Sequence, residues 1–444
     1  MFLNSILALS QKFFAPFYEK SVVLKNLDSL IFINIILLIY ISAFVQSDSI
    51  GNFAFGIILL TIIKIMVKPR EKFILSTGDK FLLAYFMFVL ISVAGSSLFV
   101  LSLKGFCKTL IYLGFYISFI HFLKDNRSKL KYIFLAIAST VFLETIIAFK
   151  QNLLSVSEIS GWQDMSRLNP EQIMTRVYGT LKPYNPNLFG GYMLSTIPSM
   201  LVLIFLPLID KHYKTAFCGL LLFCLSVIAL LMTGCRGAYL GLFAELGLVL
   251  VLTYRFLKPV YKKIFLLFSG IISAISFLIL ISISSVRARI FSIFAMRNDS
   301  SNSFRFNVYN SCIEMFQDNW LLGIGVGNQN FREIYGLYMK TGFDALSAYN
   351  IYLETAVESG IFALLMFLIF ITYNIVVACK YILKRSNASA IYLAMAVISL
   401  VGILIHGIVD TVFFRPQIQI IFWMMIGIIK VLTFPRRVHD SKRN

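Results

Sequence analysis

A chain of 444 residues in which 59% of side chains are hydrophobic and 14% charged is too apolar for a soluble domain, which would carry about a quarter charged residues. Its net charge of +19 comes from 40 Lys and Arg against 21 Asp and Glu, but these bases are spread over short loops between apolar runs. That pattern excludes a nucleic-acid binder and predicts an all-α polytopic integral membrane protein.

Residues 1–28 mix aromatics with Lys12, Lys20 and Lys25. They read as an amphipathic cytoplasmic stretch on the membrane surface rather than a cleavable signal peptide. Five apolar runs fill 29–149, at about 29–46, 51–67, 81–101, 105–123 and 130–149. A first long loop covers 150–186. Runs at about 187–207, 215–233, 237–256 and 261–283 fill 187–283, and a second long loop covers 284–350. Three last runs in 351–434, at about 351–378, 390–409 and 417–434, lead to a basic tail at 435–444. Each of the twelve runs is about long enough to span a bilayer as helix.

Alternate short loops are basic: KPREK at 68–72, KDNRSKLK at 124–131, DKHYK at 210–214, YRFLKPVYKK at 254–263 and KYILKR at 380–385. The positive-inside rule makes these loops and both termini cytoplasmic, in a cell inner (plasma) membrane, and puts both long loops on the outer face. Lysine predominates on the cytoplasmic side and arginine outside. A cytoplasmic lysine need do no more than orient the chain. An outer arginine runs against the rule, and its planar fork suits phosphate or carboxylate. The six cysteines (Cys107, Cys218, Cys224, Cys235, Cys312 and Cys379) form no CxxC pair. No disulfide framework, metal or cofactor is expected from them.

Arg236 stands in LLMTGCRGAYLGL, between two spans and at the start of a helix. Either it snorkels to the interface, or it meets an anion favoured by the helix amides and dipole. Arg287, Arg289, Arg297 and Arg305 open the second long loop, with Arg332 and Arg415 as candidates for the same cavity. Several guanidinium groups together would suit a diphosphate. In SFRFNVYNSCIEMFQDNWLLG, Phe304, Val308, Cys312, Met315 and Phe316 fall at helical spacing, predicting an amphipathic helix on the membrane surface. The glycines of LGIGVGNQNF (322–331) end it. Their spacing is not GxGxxG and no β/α alternation surrounds them, so they hold no dinucleotide. A helix cap and turn, or a backbone approach to a ligand held by nearby arginines, both fit.

His406 and Asp410 stand at i and i+4 in GILIHGIVDTVFFRPQ, a pairing that could orient an imidazole for proton transfer. Glu354 and Glu358, also i and i+4, are a second carboxylate pair or acids drawn to a helix start. Glu144 and Glu245 lie inside spans, as ion-coupling sites would.

TRVYGTLKPYNPNLFGGY (175–192), MTGCRGAYLGL (232–242), LLGIGVGNQNF (321–331) and NIYLETAVESGIFALL (350–365) together resemble the O-antigen ligase and polymerase superfamily, over roughly residues 160 to 430. RARIFSIFAMRNDSSNSFRFNVY (287–309), LYMKTGFDALSAY (337–349), LETAVESG (353–360) and HGIVDTVFFRP (406–416) resemble one cyanobacterial branch more narrowly, the inorganic-carbon (bicarbonate) transporter or IctB family. The superfamily resemblance implies metal-independent, inverting transfer from a polyprenyl-diphosphate-linked glycan to an acceptor glycan or lipid at the outer face. Arginines would hold the diphosphate, and Arg236 matches the family's SRG-type motif. The family's base, a His before the Asn of HN-x-Y-L, is here Tyr349 before Asn350. That role then passes to His406, Asp410 or Glu354 as catalytic candidates. Arg236, Arg287, Arg289, Arg305, Arg415 and Asn350 are the binding candidates. The branch resemblance implies bicarbonate as the alternative cargo.

Overall fold

Lipid offers no partner to a backbone amide or carbonyl, so a chain crossing a bilayer must close its hydrogen bonds within itself. The computed structural model describes residues 2–45, 47–68, 77–154, 176–294 and 299–434, and among these it is helical with no strand. Most of the first long loop, Arg297, most of the KPREK loop and the basic tail lie outside the described residues.

Helices α1 (Phe2–Lys20) and α2 (Val22–Lys25) precede α3 (Leu27–Phe44), α4 (Ser47–Val67), α5 (Thr77–Gly95), α6 (Phe99–Asp125) and α7 (Leu130–Leu153). Helix α8 (Pro186–Thr196) passes through a 3-10 turn at Ile197–Leu201 into α9 (Val202–Ile209). Then come α10 (Tyr213–Met232), α11 (Arg236–Phe256) and α12 (Pro259–Ser282). The second long loop folds as α13 (Ser284–Ile293), α14 (Ser300–Asn319) and α15 (Asn328–Tyr335). Helices α16 (Ile351–Lys384), α17 (Ala388–His406) and α18 (Pro416–Thr433) complete the chain. Among the described residues twelve segments are long and apolar enough to cross a membrane, with α8 and α9 counted as one. The number is the one expected.

The third span ends at Gly95 rather than near 101. The apolar run continues beyond it, but Ser96 folds back, its Oγ donating to the Ile324 carbonyl at 2.7 Å and accepting from the Leu98 amide. Helix α18 sits at the centre of the bundle, nearly buried along its length, while no residue of α12 is buried. Lys430 on α18 balances Asp79 of α5 at 2.8 Å, and the Tyr116 hydroxyl of α6 donates to the same carboxylate. A cation in this core therefore keeps its partner.

The apolar stripe of α14 does not lie on the membrane surface as its spacing suggested. Val308, Cys312 and Met315 are buried in a small second core with Phe331, Tyr335, Ala345, Ala348 and Val357. Helix α14 thus packs on α15, the 345–348 segment and α16.

The glycine segment resolves into a knot. The Ile324 and Gly325 amides donate to the Val357 and Glu358 carbonyls of α16, both at 2.9 Å. Val326 donates to Ser102 Oγ and Gly327 to Glu358 Oε1. With all four amides committed to protein, the segment is not a phosphate cradle, and the turn reading holds. At Gly325 φ is +95° and a Cβ would sit 2.5 Å from Ser96 Oγ and Ser102 Oγ. Gly325→Ala is accordingly expected to cost about 2–3 kcal/mol through strain and overpacking. A lowered unfolding midpoint of the detergent-solubilised protein would register it, and an unchanged midpoint would contradict the packing.

Candidate functional site: an arginine-lined cavity at one end of the bundle

Helices α8, α11, α16 and α18 all begin at the end of the bundle away from the basic loops. Their N-termini surround a cavity of about 1750 Å³, well above the roughly 300–1,000 Å³ of ordinary small-molecule pockets. Asn185 and Asn350 cap α8 and α16 through side-chain oxygens, whereas α11 and α18 have no side-chain cap. At α11 the first-turn amides and the dipole behind them favour an anion, whereas α18 opens with Pro416, which has no amide, and its Ile418 and Gln419 amides donate to the Arg415 carbonyl.

Four arginines line one side: Arg176, Arg236, Arg289 and Arg305. Arg236, the first residue of α11, binds Asp299 Oδ1 at 2.9 Å and Ser292 Oγ at 3.0 Å. Asp299 also caps α14 through the Asn302 amide. This one contact thus ties the α13–α14 segment down to the bundle. Arg176 donates to the Thr233 carbonyl at 2.7 Å and to Asn187 Oδ1 at 2.6 Å. Asn187 passes the chain on to Asp410 Oδ2 at 3.2 Å, which Arg305 approaches at 3.8 Å. Arg289 has buried Nε and Nη2 atoms with no hydrogen-bond partner in the structure.

Four guanidinium groups thus face two aspartates, and the excess of positive charge concerns Arg289 most. Burial first, then repulsion from Arg176 and Arg236, push its guanidinium down to about 10. Burial likewise holds Arg176 below its ordinary value. A dianion would relieve both effects. Since Arg289 is charged only below its own pKa, the affinity for pyrophosphate is expected to fall as pH rises through about 10, measured by titration calorimetry. An affinity flat across that range would mean that Arg289 does not hold the anion.

The far side of the cavity differs. Lys104 and Lys108 of α6, Glu354 and Glu358 of α16, Tyr85, Tyr112, Gln419 and Arg415 line it. Glu354 accepts the Ala348 amide at 2.8 Å through Oε2, and neither glutamate forms an ion pair among the described residues. The segment before α16 is strained: Tyr349 has φ +51°, a conformation uncommon for a side chain of this size. Its ring lies over Arg305 at 5.9 Å. Burial, then the charge of Asp410, hold the Tyr349 phenol above its ordinary value.

Several sequence candidates fall elsewhere. Arg287 is exposed, donates to the Ile281 carbonyl and does not line the cavity. Arg332 is exposed on α15, also outside the lining. Asn350 is a helix cap, its oxygen taken by the Tyr352 and Leu353 amides. The Asp410 amide donates to the His406 carbonyl at 3.1 Å, but the two side chains take different partners, Cys235 for the imidazole and Asn187 for the carboxylate. His406 is buried behind the cavity wall, its Nε2 3.6 Å from Cys235 Sγ. Asp410 faces the cavity with Oδ1 fixed by the Thr411 and Val412 amides. Arg176, Asn187, Asp299 and Cys235 are cavity residues that sequence reasoning did not single out. The nearest signal was the helix-start pattern NPN at 185–187, with Arg176 in the same quoted stretch. Glu144 and Glu245 lie outside the lining. Glu144 accepts from the Thr180 amide, and Glu245 packs without a hydrogen-bond partner against Gly402.

The fold and cavity define a polytopic membrane protein, helical among the described residues, with an arginine-lined chamber at one end. Residues 221–368, roughly a third of the chain, match the family described as O-antigen ligase. This match supports the resemblance to the O-antigen ligase and polymerase superfamily and an O-antigen ligase-like membrane function. The matched span holds Arg236, Arg289, Arg305, Glu354 and Glu358, and stops before His406, Asp410 and Arg415. No curated protein matches the chain.

Proposed function

We propose that the protein transfers a glycan from a polyprenyl diphosphate to an acceptor hydroxyl in this cavity, which opens at the outer face of the plasma membrane with both termini in the cytoplasm. The observation that carries the reading is the cluster of Arg176, Arg236, Arg289 and Arg305 beside the uncapped start of α11, with Arg289 lacking a partner. A departing diphosphate is the kind of charge such a cluster stabilises. The acceptor hydroxyl gives its proton to a carboxylate as its oxygen bonds to the anomeric carbon. The bond from that carbon to phosphate breaks, and the diphosphate keeps the electron pair. Glu354 is the best-placed base, because one of its oxygens is held by Ala348 and the other has no partner in the structure. Asp410, with four donors around it, is better suited to orient Arg305 and Asn187.

The branch resemblance carries bicarbonate transport as the alternative, and bicarbonate would meet the same arginines. A transport path would need ionisable groups continuing across the bilayer. Glu144 and Glu245, the in-span candidates, are not part of the cavity. Mass spectrometry of lipid extracts from a deletion strain separates the readings. Build-up of polyprenyl-diphosphate oligosaccharide, cleared by the wild-type protein, supports transfer. Lipids unchanged alongside reduced bicarbonate uptake would overturn it.

A further inference from the structure

Cys235 occupies the cap position directly before Arg236, lines the cavity and is 3% exposed. Its sulfur lies 3.6 Å from Nε2 of the buried His406. The two side chains meet because Gly237 and Gly191 let the imidazole in: a Cβ at Gly237 would stand 2.6 Å from His406 Cδ2, and one at Gly191 3.1 Å from Cε1. A thiol beside an imidazole, at a helix N-terminus and among arginines, has the surroundings that make a cysteine nucleophilic. The titratable and charged groups facing it are His406 from α17, Arg176 from the segment before α8, Asp410 from the turn after α17, and Arg236 and Tyr239 from α11, while α8 packs Gly190 against it. Burial raises the thiol and Asp410 opposes its ionisation, yet His406 and Arg176 outweigh both, leaving it below its ordinary value. None of the steps of glycan transfer uses this sulfur.

We propose that Cys235, paired with His406, is a covalent modification site for small anionic molecules carrying an electrophilic sulfur, and that its capture closes the diphosphate cavity. The inference rests on reading the arginine cavity as an anion site. In the step itself the Cys235 sulfur attacks one sulfur of a disulfide or thiosulfonate. A new S–S bond forms and the old one breaks. The departing thiolate or sulfinate leaves with the electron pair, and His406 retains the thiol proton. The arginines that would hold a diphosphate select the negatively charged reagent, and the adduct then stands where the diphosphate would bind.

The probes are two methanethiosulfonates of opposite charge, sulfonatoethyl and trimethylammonioethyl, applied to the purified full-length protein with peptide-resolved mass spectrometry. Cys107, exposed and also in the cavity lining, but on the α6 side, is the internal reference. Relative to Cys107, the anionic probe is expected to modify Cys235 at least about tenfold faster than the cationic probe, by focusing of charge in the cleft. Inorganic pyrophosphate should protect Cys235 more than Cys107. His406→Gln should slow the reaction at neutral pH by roughly tenfold and move its midpoint to higher pH. Equal rates for the two probes, or no modification of Cys235 while Cys107 reacts, would overturn the proposal. Neither comparison depends on the His406 variant folding. Pyrophosphate binding by calorimetry together with an inert Cys235 would sink the thiol site and leave the cavity reading intact. Anion-selective labelling in a protein without transfer activity would keep the thiol site and the anion cavity and overturn glycan transfer alone.

Discussion

Arg236→Ala is expected to lower glycan transfer by about 10²–10³-fold, the usual cost of deleting one donor to a developing anion. Two losses coincide at this position. The guanidinium leaves the start of α11, where the first-turn amides alone then face the diphosphate. Asp299 and Ser292 also lose the guanidinium, keeping only their contacts within α13 and α14, which loosens that segment and with it Arg289 and Arg305. Losing a charge-assisted contact of this kind costs roughly 2 kcal/mol of stability. The variant should therefore melt earlier as well as turn over more slowly. Arg236→Lys keeps the charge but cannot bridge Asp299 and a phosphate with one planar fork, so it should recover stability more than activity. The measurement is the level of polyprenyl-diphosphate oligosaccharide in cells complemented with each variant. Wild-type levels with Arg236→Ala would remove Arg236 from the reaction.

Glu354→Gln is expected to lower turnover by about 10²–10⁴-fold, the contribution of a positioned base, and with little change in stability. The amide oxygen of Gln can still accept from Ala348, so the first turn of α16 keeps its contact. The signature lies in the pH profile. A base works only when deprotonated, so wild-type activity should rise along an acidic limb, and that limb should vanish in Glu354→Gln. Glu358→Gln is the control: its carboxylate accepts the Gly327 amide and belongs to the glycine knot. It should shift stability or acceptor KM and leave the limb in place. If Glu354→Gln retains both its rate and its acidic limb, the base is another group, with Asp410 the next to test.

The spans were legible because lipid demands apolar runs of nearly fixed length, and the boundaries at α11, α12 and α18 lie within two residues of those read from hydropathy. The end of α5 was not legible, since the turn at Ser96 is made by side-chain contacts to Ile324, more than two hundred residues away. Clustering arginines in the second long loop pointed to Arg289 and Arg305 but could not separate them from Arg287, which differs only in the direction it leaves α13. Arg176 was invisible for a related reason. It stands alone in sequence and reaches the cavity through Thr233 and Asn187. The i, i+4 spacing placed His406 and Asp410 on one turn, where the Asp410 amide donates to the His406 carbonyl, but spacing does not name side-chain partners, and the imidazole meets a sulfur that no periodicity connects to it. The stripe on α14 was read correctly as an apolar face, but a pattern names the face and not what covers it.

One feature of the bundle bears on the membrane itself. Helix α12 has lipid-accessible residues all round and leads directly into α13, which carries Arg289. Its 24 residues measure about 36 Å at the standard rise, a few ångströms more than a typical hydrocarbon core of roughly 30 Å. Such a helix answers thickness by leaning. With little of the bundle to brace it, its angle is expected to follow the thickness of the bilayer around it, and the pyrophosphate affinity of a chamber lined by Arg289 is expected to change with acyl-chain length in vesicles.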